Sequence, residues 1–137
     1  MINVIAVVEK GSDGMFSVWS DMSFGTYCFG GYGESVEEAK DDFLKSVHEA
    51  LQEARLSDDA FFAPEYDQVR ISYKYDIPSF FNYFDWINVS KFADYAGINE
   101  SKMRQYKSGL SYPGERTSKK IFSAIRRIRD DFNSISV

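Results

Sequence analysis

The sequence predicts an α+β amino-terminal domain over residues 1–76, followed by an all-α carboxy-terminal domain over residues 77–137. Three observations carry that prediction. Residues 2–75 show hydrophobic patterns in the order strand, strand, strand, helix, strand. After Asp76 every apolar pattern is helical. The charge also changes sign along the chain: residues 1–87 carry 6 Lys/Arg against 16 Asp/Glu, net −10, and residues 88–137 carry 10 against 5, net +5.

Ile2–Glu9 is a β-branched run that fits a central strand. Lys10–Gly14 is a turn in which Gly11 and Gly14 are expected to supply positive φ, and Asp13-Gly14 is a hairpin signal. Phe16–Ser20 alternates apolar and polar residues, as a half-buried strand does. Phe24–Tyr32 reads as a third strand, with Gly25, Gly30 and Gly31 marking bends or close approach. Ser35 followed by Glu38 is a capping box that opens a helix. Val36, Ala39, Phe43, Val47, Ala50, Leu51 and Ala54 form its apolar stripe, and Glu37, Glu38, Asp41, Asp42, Glu49 and Glu53 leave the other face acidic. Residues 57–67 read as a loop, and Val69–Tyr75 as a fourth strand. One helix over a small sheet is the expected layer. Ser79–Ile87 is expected as one helix, with Phe80, Phe81, Phe84 and Ile87 on a shared inner face.

Residues 89–113 meet the demands of a helix-turn-helix. Ala93 is the small residue where a second helix packs closely, Gly97 suits a turn with positive φ, Ile98 plugs the core beneath it, and Asn99 suits an N-cap. Met103 and Tyr106 are expected inward, which leaves Glu100, Ser101, Lys102, Arg104, Gln105 and Lys107 largely outward. Gly109 ends that helix, Pro113-Gly114 turns the chain, and a last helix from Thr117 to about Arg129 turns Ile121, Ile125 and Ile128 inward. A major groove admits one helix, so Ser101, Lys102, Arg104 and Gln105 are the candidate base readers. Lys107, Arg116, Lys119 and Lys120 are the candidate phosphate contacts. A single such helix reads few base pairs, so a homodimer or higher homo-oligomer is expected.

Residues 87–125 resemble the helix-turn-helix of Cro/repressor proteins, through Phe92-Ala93, Gly97-Ile98-Asn99, Ser101, Met103, Tyr106, Gly109 and Pro113. The amino-terminal part resembles HicB antitoxins. The shared pattern is a strand, a DG turn (Asp13-Gly14) into a second strand, a glycine-containing third strand, and the helix entry Gly33-Glu-Ser-Val-Glu-Glu-Ala39. Where that family carries P-D-x-P-G, this chain has Ser20–Gly25, without prolines. The resemblance implies a partial ribonuclease-H-like domain that binds a small basic RNA-cleaving toxin of the HicA type. It also implies a tail that binds operator DNA. Glu37, Glu38, Asp41 and Asp42 would then face the toxin. The other reading is a stand-alone regulator whose amino-terminal domain dimerises or senses a ligand.

Catalysis is not expected. Glu9 and Asp21 near strand ends are not the clustered carboxylates a metal-dependent nuclease needs. His48 is the only histidine and reads as a surface residue, and Cys28 as a buried, inert thiol. The Asp41-Asp42, Asp58-Asp59 and Asp130-Asp131 pairs lack calcium-loop spacing, and no phosphate-binding glycine loop is present. No cofactor or metal is therefore expected. With 44% hydrophobic and 27% charged residues the chain should fold, and no apolar run approaches the ~20 residues that span a bilayer. The start lacks the features of a signal peptide, and a lone cysteine suits a reducing compartment, so a cytoplasmic location is expected.

Overall fold

The computed structural model describes residues 2–20, 29–56 and 69–137. Over them the chain is mixed α and β, with four strands and five helices. In order these are β1 (Ile2–Lys10), β2 (Phe16–Ser20), β3 (Gly30–Gly33), α1 (Val36–Arg55), β4 (Val69–Tyr75), α2 (Ile77–Tyr83), α3 (Val89–Ala96), α4 (Glu100–Ser108) and α5 (Glu115–Asn133). The elements fall into two compact units, Met1–Tyr83 and Phe84–Val137. Among the described residues, no helix is long and apolar enough to cross a membrane.

In the first unit the sheet order is β3-β2-β1-β4. β1 pairs with β2 and β2 with β3 antiparallel, while β1 and β4 run parallel. A parallel neighbour needs a crossover, and α1 lies on that connection. Val4, Ala6 and Val8 alternate onto the buried face of β1, and Phe16, Val18 and Phe29 join them. α1 covers this face with Val36, Ala39, Phe43, Val47, Ala50, Leu51 and Ala54, the same seven residues its periodicity selects.

Gly31 and Gly33 are where the helix touches down. A Cβ on Gly31 would lie 2.4 Å from the Phe43 amide nitrogen and 2.5 Å from the Ala39 carbonyl oxygen. Both contacts are backbone, so α1 and β3 approach this closely only across glycine. Gly30 does not share the constraint, since its Cβ would meet nothing nearer than the Val18 carbonyl at 3.7 Å.

β3 is an edge strand, and α1 seals its outward amides. Gly30 N–H donates to Ser46 Oγ at 3.3 Å, Tyr32 N–H to Asp42 Oδ2 at 2.9 Å, and Glu34 N–H to Glu38 Oε2 at 2.9 Å. The steps match physically: four helical residues rise about 6 Å and two strand residues about 6.6 Å. Ser35 Oγ caps α1 by accepting the Glu38 N–H, as the capping box predicts. The Glu38 carboxylate, however, takes Glu34 N–H, one residue before the cap.

Some expectations need correction. In the hairpin turn only Gly14 has positive φ, and Asp13 Oδ1 accepts the Met15 N–H. Ser79–Ile87 is not one helix: α2 stops at Tyr83, and a turn follows in which Ile87 N–H bonds the Phe84 carbonyl. Phe80 and Phe81 are buried in the first unit, whereas Phe84 and Ile87 belong to the second. α2 packs against β1, α1 and β4, so the units divide after Tyr83 rather than after Asp76. Its start is held by Asp76, whose Oδ1 accepts the Ser79 N–H and whose Oδ2 accepts the Lys10 N–H, both at 2.9 Å. The last helix is longer than expected at both ends. Residues 24–28 of the expected third strand, with Cys28, lie outside the described residues, as do Asp21, Asp58-Asp59 and the loop at 57–67.

Candidate nucleic-acid interface

The second unit is built from local signals. Asn88 caps α3, its Oδ1 accepting the Lys91 N–H at 2.9 Å. Gly97 ends that helix in the left-handed region, at φ 72° and ψ 39°, where a Cβ is disfavoured. The Ile98 N–H returns to the Ala93 carbonyl, closing the turn. Asn99 then caps α4, accepting the Lys102 N–H at 3.1 Å. Two helices thus follow each other across the three residues Gly97-Ile98-Asn99. α3 and α4 pack on each other, and Ala93 and Met103 are fully buried, with Phe92 and Ala96 buried too. Gly109, also left-handed, ends α4.

With Met103 inward, α4 shows Ser101, Lys102, Arg104 and Lys107 as exposed residues and Gln105 as half-buried. Arg116, Lys119 and Lys120 are exposed in the first turns of α5. Lys102, Lys107, Arg116 and Lys120 have no ion-pair partner among the described residues, while Lys119 Nζ lies 3.2 Å from Glu115 one turn back. That pair is well exposed and contributes little.

Arg104 is less free than its position in the sequence suggests. Its Nη1 donates to Glu100 Oε1 at 2.9 Å and its Nη2 to Ser101 Oγ at 3.3 Å. The same Glu100 oxygen also accepts the Ser90 hydroxyl from the first turn of α3. The Ser90 hydrogen bond, helped by Arg104 and opposed by slight loss of hydration, holds the Glu100 carboxyl below its usual range. Sequence reasoning placed Glu100 merely on the outer face. The signal was the (i, i+4) spacing to Arg104; the Ser90 contact, ten residues away, had none.

The four candidate acidic residues do not act alike. Glu37 and Asp41 are exposed. Glu38 and Asp42 are also exposed, but their carboxylates hold backbone amides at the edge of β3. A group that sequence reasoning missed lies on the same helix. Lys40 Nζ sits 3.8 Å from the Tyr73 ring centroid and 3.7 Å from that of Tyr83, and it donates to Tyr75 Oη at 2.9 Å. Burial pulls this amine down to about 8, against the pull of Asp41 in the other direction. Burial also pushes the Tyr75 phenol well above its usual range, with Tyr83 and Tyr73 adding to it. No group of three or more His, Cys, Asp or Glu side chains among the described residues is arranged to hold a metal ion, and His48 is exposed.

Comparison with protein-family models, with curated proteins and with solved structures found no match to this chain.

Proposed function

We propose that this chain is a DNA-binding regulator that reads operator DNA through α4, and that its acidic amino-terminal unit holds a small basic toxin in the manner of HicB antitoxins. The observation that carries the DNA-binding reading is the joint between α3 and α4: a left-handed Gly97, a half-buried Ile98 and a capping Asn99. It leaves Ser101, Lys102, Arg104 and Gln105 along one short helix with cations at its far end and on α5. In this reading the first four meet base edges and Lys107, Arg116, Lys119 and Lys120 meet phosphates. The protein binds as a homodimer, since one module spans few base pairs. It needs no cofactor and catalyses no reaction.

The toxin-binding half rests on the element order, strand, DG turn, strand, glycine strand, helix, and on the negative charge of residues 1–87. One observation favours the other reading, a stand-alone regulator. Glu38 and Asp42 are engaged by the protein's own backbone, so the acidic face offers a partner less than its composition suggests.

The test is binding of the purified chain to a labelled fragment of its own upstream DNA, compared with random DNA, across a salt series. Specific binding that persists at about 150 mM salt supports the reading. Equal affinity for both DNAs at every salt concentration overturns it. A short basic protein that copurifies when encoded beside this chain separates the antitoxin from the stand-alone regulator.

A further inference from the structure

α5 carries an apolar seam that outlasts the core it packs on. Ile121, Ile125, Ile128 and Phe132 recur at steps of four, three and four, which is the spacing of a helix-pairing seam. Ile121 is fully buried, Ile125 and Ile128 are half-buried, and Phe132 is 53% exposed. At that end a groove of about 530 Å³ opens between α3 and α5, lined by Trp86, Lys91, Tyr95, Ile128, Asp131 and Phe132 among others. Trp86 is 65% exposed and stacks on Phe132, with ring centroids 6.4 Å apart and planes at 21°. Arg127 lies over the Tyr95 ring, 4.4 Å from its centroid, and donates to the Tyr95 carbonyl, which holds that ring at the groove wall. Three large aromatic rings gathered at one exposed groove mark a docking surface.

Two features choose the occupant. The groove carries one cation and one anion, Lys91 and Asp131, and neither has an ion-pair partner among the described residues. A surface with both signs at its rim complements itself under a two-fold axis. The groove also uses a different face of α3 from the one that contacts α4. Lys91 and Tyr95 line it, whereas Ser90, about 100° round the helix from Lys91, reaches Glu100 on α4. No residue of α4 lines the groove.

We propose that the occupant is a second copy of this chain, docked about a two-fold axis so that Phe132 and Trp86 of each copy cover those of the other and Lys91 of each meets Asp131 of the other. This rests on the DNA-binding reading only for its use: it presents two copies of α4 for two half-sites. The docking itself needs no DNA.

Sedimentation equilibrium of the full chain across the micromolar range tests it, beside the variants Lys91→Glu, Asp131→Lys and the double reversal. The expected result is a monomer–dimer equilibrium that either single reversal weakens at least about tenfold, by placing like charges together, and that the double reversal restores. Phe132→Ser should also weaken it, with circular dichroism showing that the helices persist. A monomer at every concentration overturns the proposal. So does a dimer that none of these changes alters, which would place the contact elsewhere. A dimer with the expected charge rescue but no preference for upstream DNA upholds this interface and overturns the DNA-binding reading instead.

Discussion

Asp42 and Tyr32 are joined by a 2.9 Å hydrogen bond from the strand amide to the helix carboxylate, the middle one of three bonds from backbone amides at this edge to side chains of α1. An edge strand with open amides invites pairing with another chain. Here the helix that covers the sheet also closes its edge. An aspartate that sequence reasoning assigned to a partner-facing surface is thereby part of the fold.

Asp42→Ala should lower stability by about 0.5–1.5 kcal/mol, and Asp42→Asn, which keeps an acceptor oxygen, by less. Urea denaturation of the two variants checks this. Equal stability of Asp42→Ala and the parent chain would return Asp42 to the surface role.

Gly31→Ala and Gly30→Ala should differ sharply although the residues are neighbours. The first forces a Cβ to 2.4 Å from helix backbone and should cost at least about 3 kcal/mol. The second meets ordinary contact distances and should change stability by no more than about 0.5 kcal/mol. Thermal melts of both variants decide it.

On the proposed DNA-binding reading, Arg104→Ala should reduce discrimination between operator and random DNA about 10- to 100-fold, as loss of a base contact does. Lys119→Ala should weaken binding to all sequences alike and flatten the salt dependence by about one unit of slope. Glu100→Gln, which loosens the hold on Arg104, should alter preference among operator variants rather than overall affinity. Competition binding at several salt concentrations reads all three.

The Lys40 amine should make stability depend on pH. Its proton is bound less tightly in the folded chain, at about 8, than in the unfolded chain, at the ordinary 10.5. Between those values the unfolded state holds more protons, so stability rises with pH from about 8 upward. Tyr75 acts oppositely at higher pH. Its raised pKa means that the unfolded chain loses that proton first, so its contribution falls away above about 10. The titratable groups facing the amine among the described residues are the Asp41 carboxylate on α1 and the neutral phenols of Tyr73 and Tyr75 from β4 and Tyr83 from α2. Lys40→Met should abolish the rise between pH 8 and 10, measured by urea denaturation at stepped pH.

Ser79 is fully buried, and its hydroxyl has no hydrogen-bond partner among the described residues. Its amide already caps α2 through Asp76, so the hydroxyl serves no cap. Ser79→Ala should raise stability by up to about 1 kcal/mol, because a buried unsatisfied group is removed. A fall in the urea midpoint would show that the hydroxyl is bonded after all.

What could be read from sequence alone was what neighbours decide. The Ser35 cap, the stripe from Val36 to Ala54, the alternation of Val69–Tyr75 and the Gly97-Ile98-Asn99 joint are all set within a few residues, and each stands where its pattern put it. What escaped depends on residues far apart in the chain. α2 stops at Tyr83, and Phe80 and Phe81 belong to the first unit, an allegiance that aromatic periodicity does not encode. Ser90 with Glu100, Lys40 with Tyr73 and Tyr83, and Asp42 with Tyr32 are likewise contacts between elements. For the candidate site this meant that the exposed cations were found while the restraint on Arg104 was not.

The parallel ladder of β1 on β4 has a consequence for how the chain is made. Its register joins Ile2 to Val69 and Val8 to Tyr75, a constant offset of 67 residues. On a ribosome adding about 5–20 residues per second, β1 waits roughly 3–13 s for its parallel neighbour to be synthesised. During that interval it has only its hairpin partner β2 and whatever shelter α1 provides. The second unit faces no such delay, because α3, the turn and α4 meet within about twenty residues of one another. In nascent chains the first unit should therefore need protection until β4 is made, whereas the α3–α4 pair can form almost as it emerges.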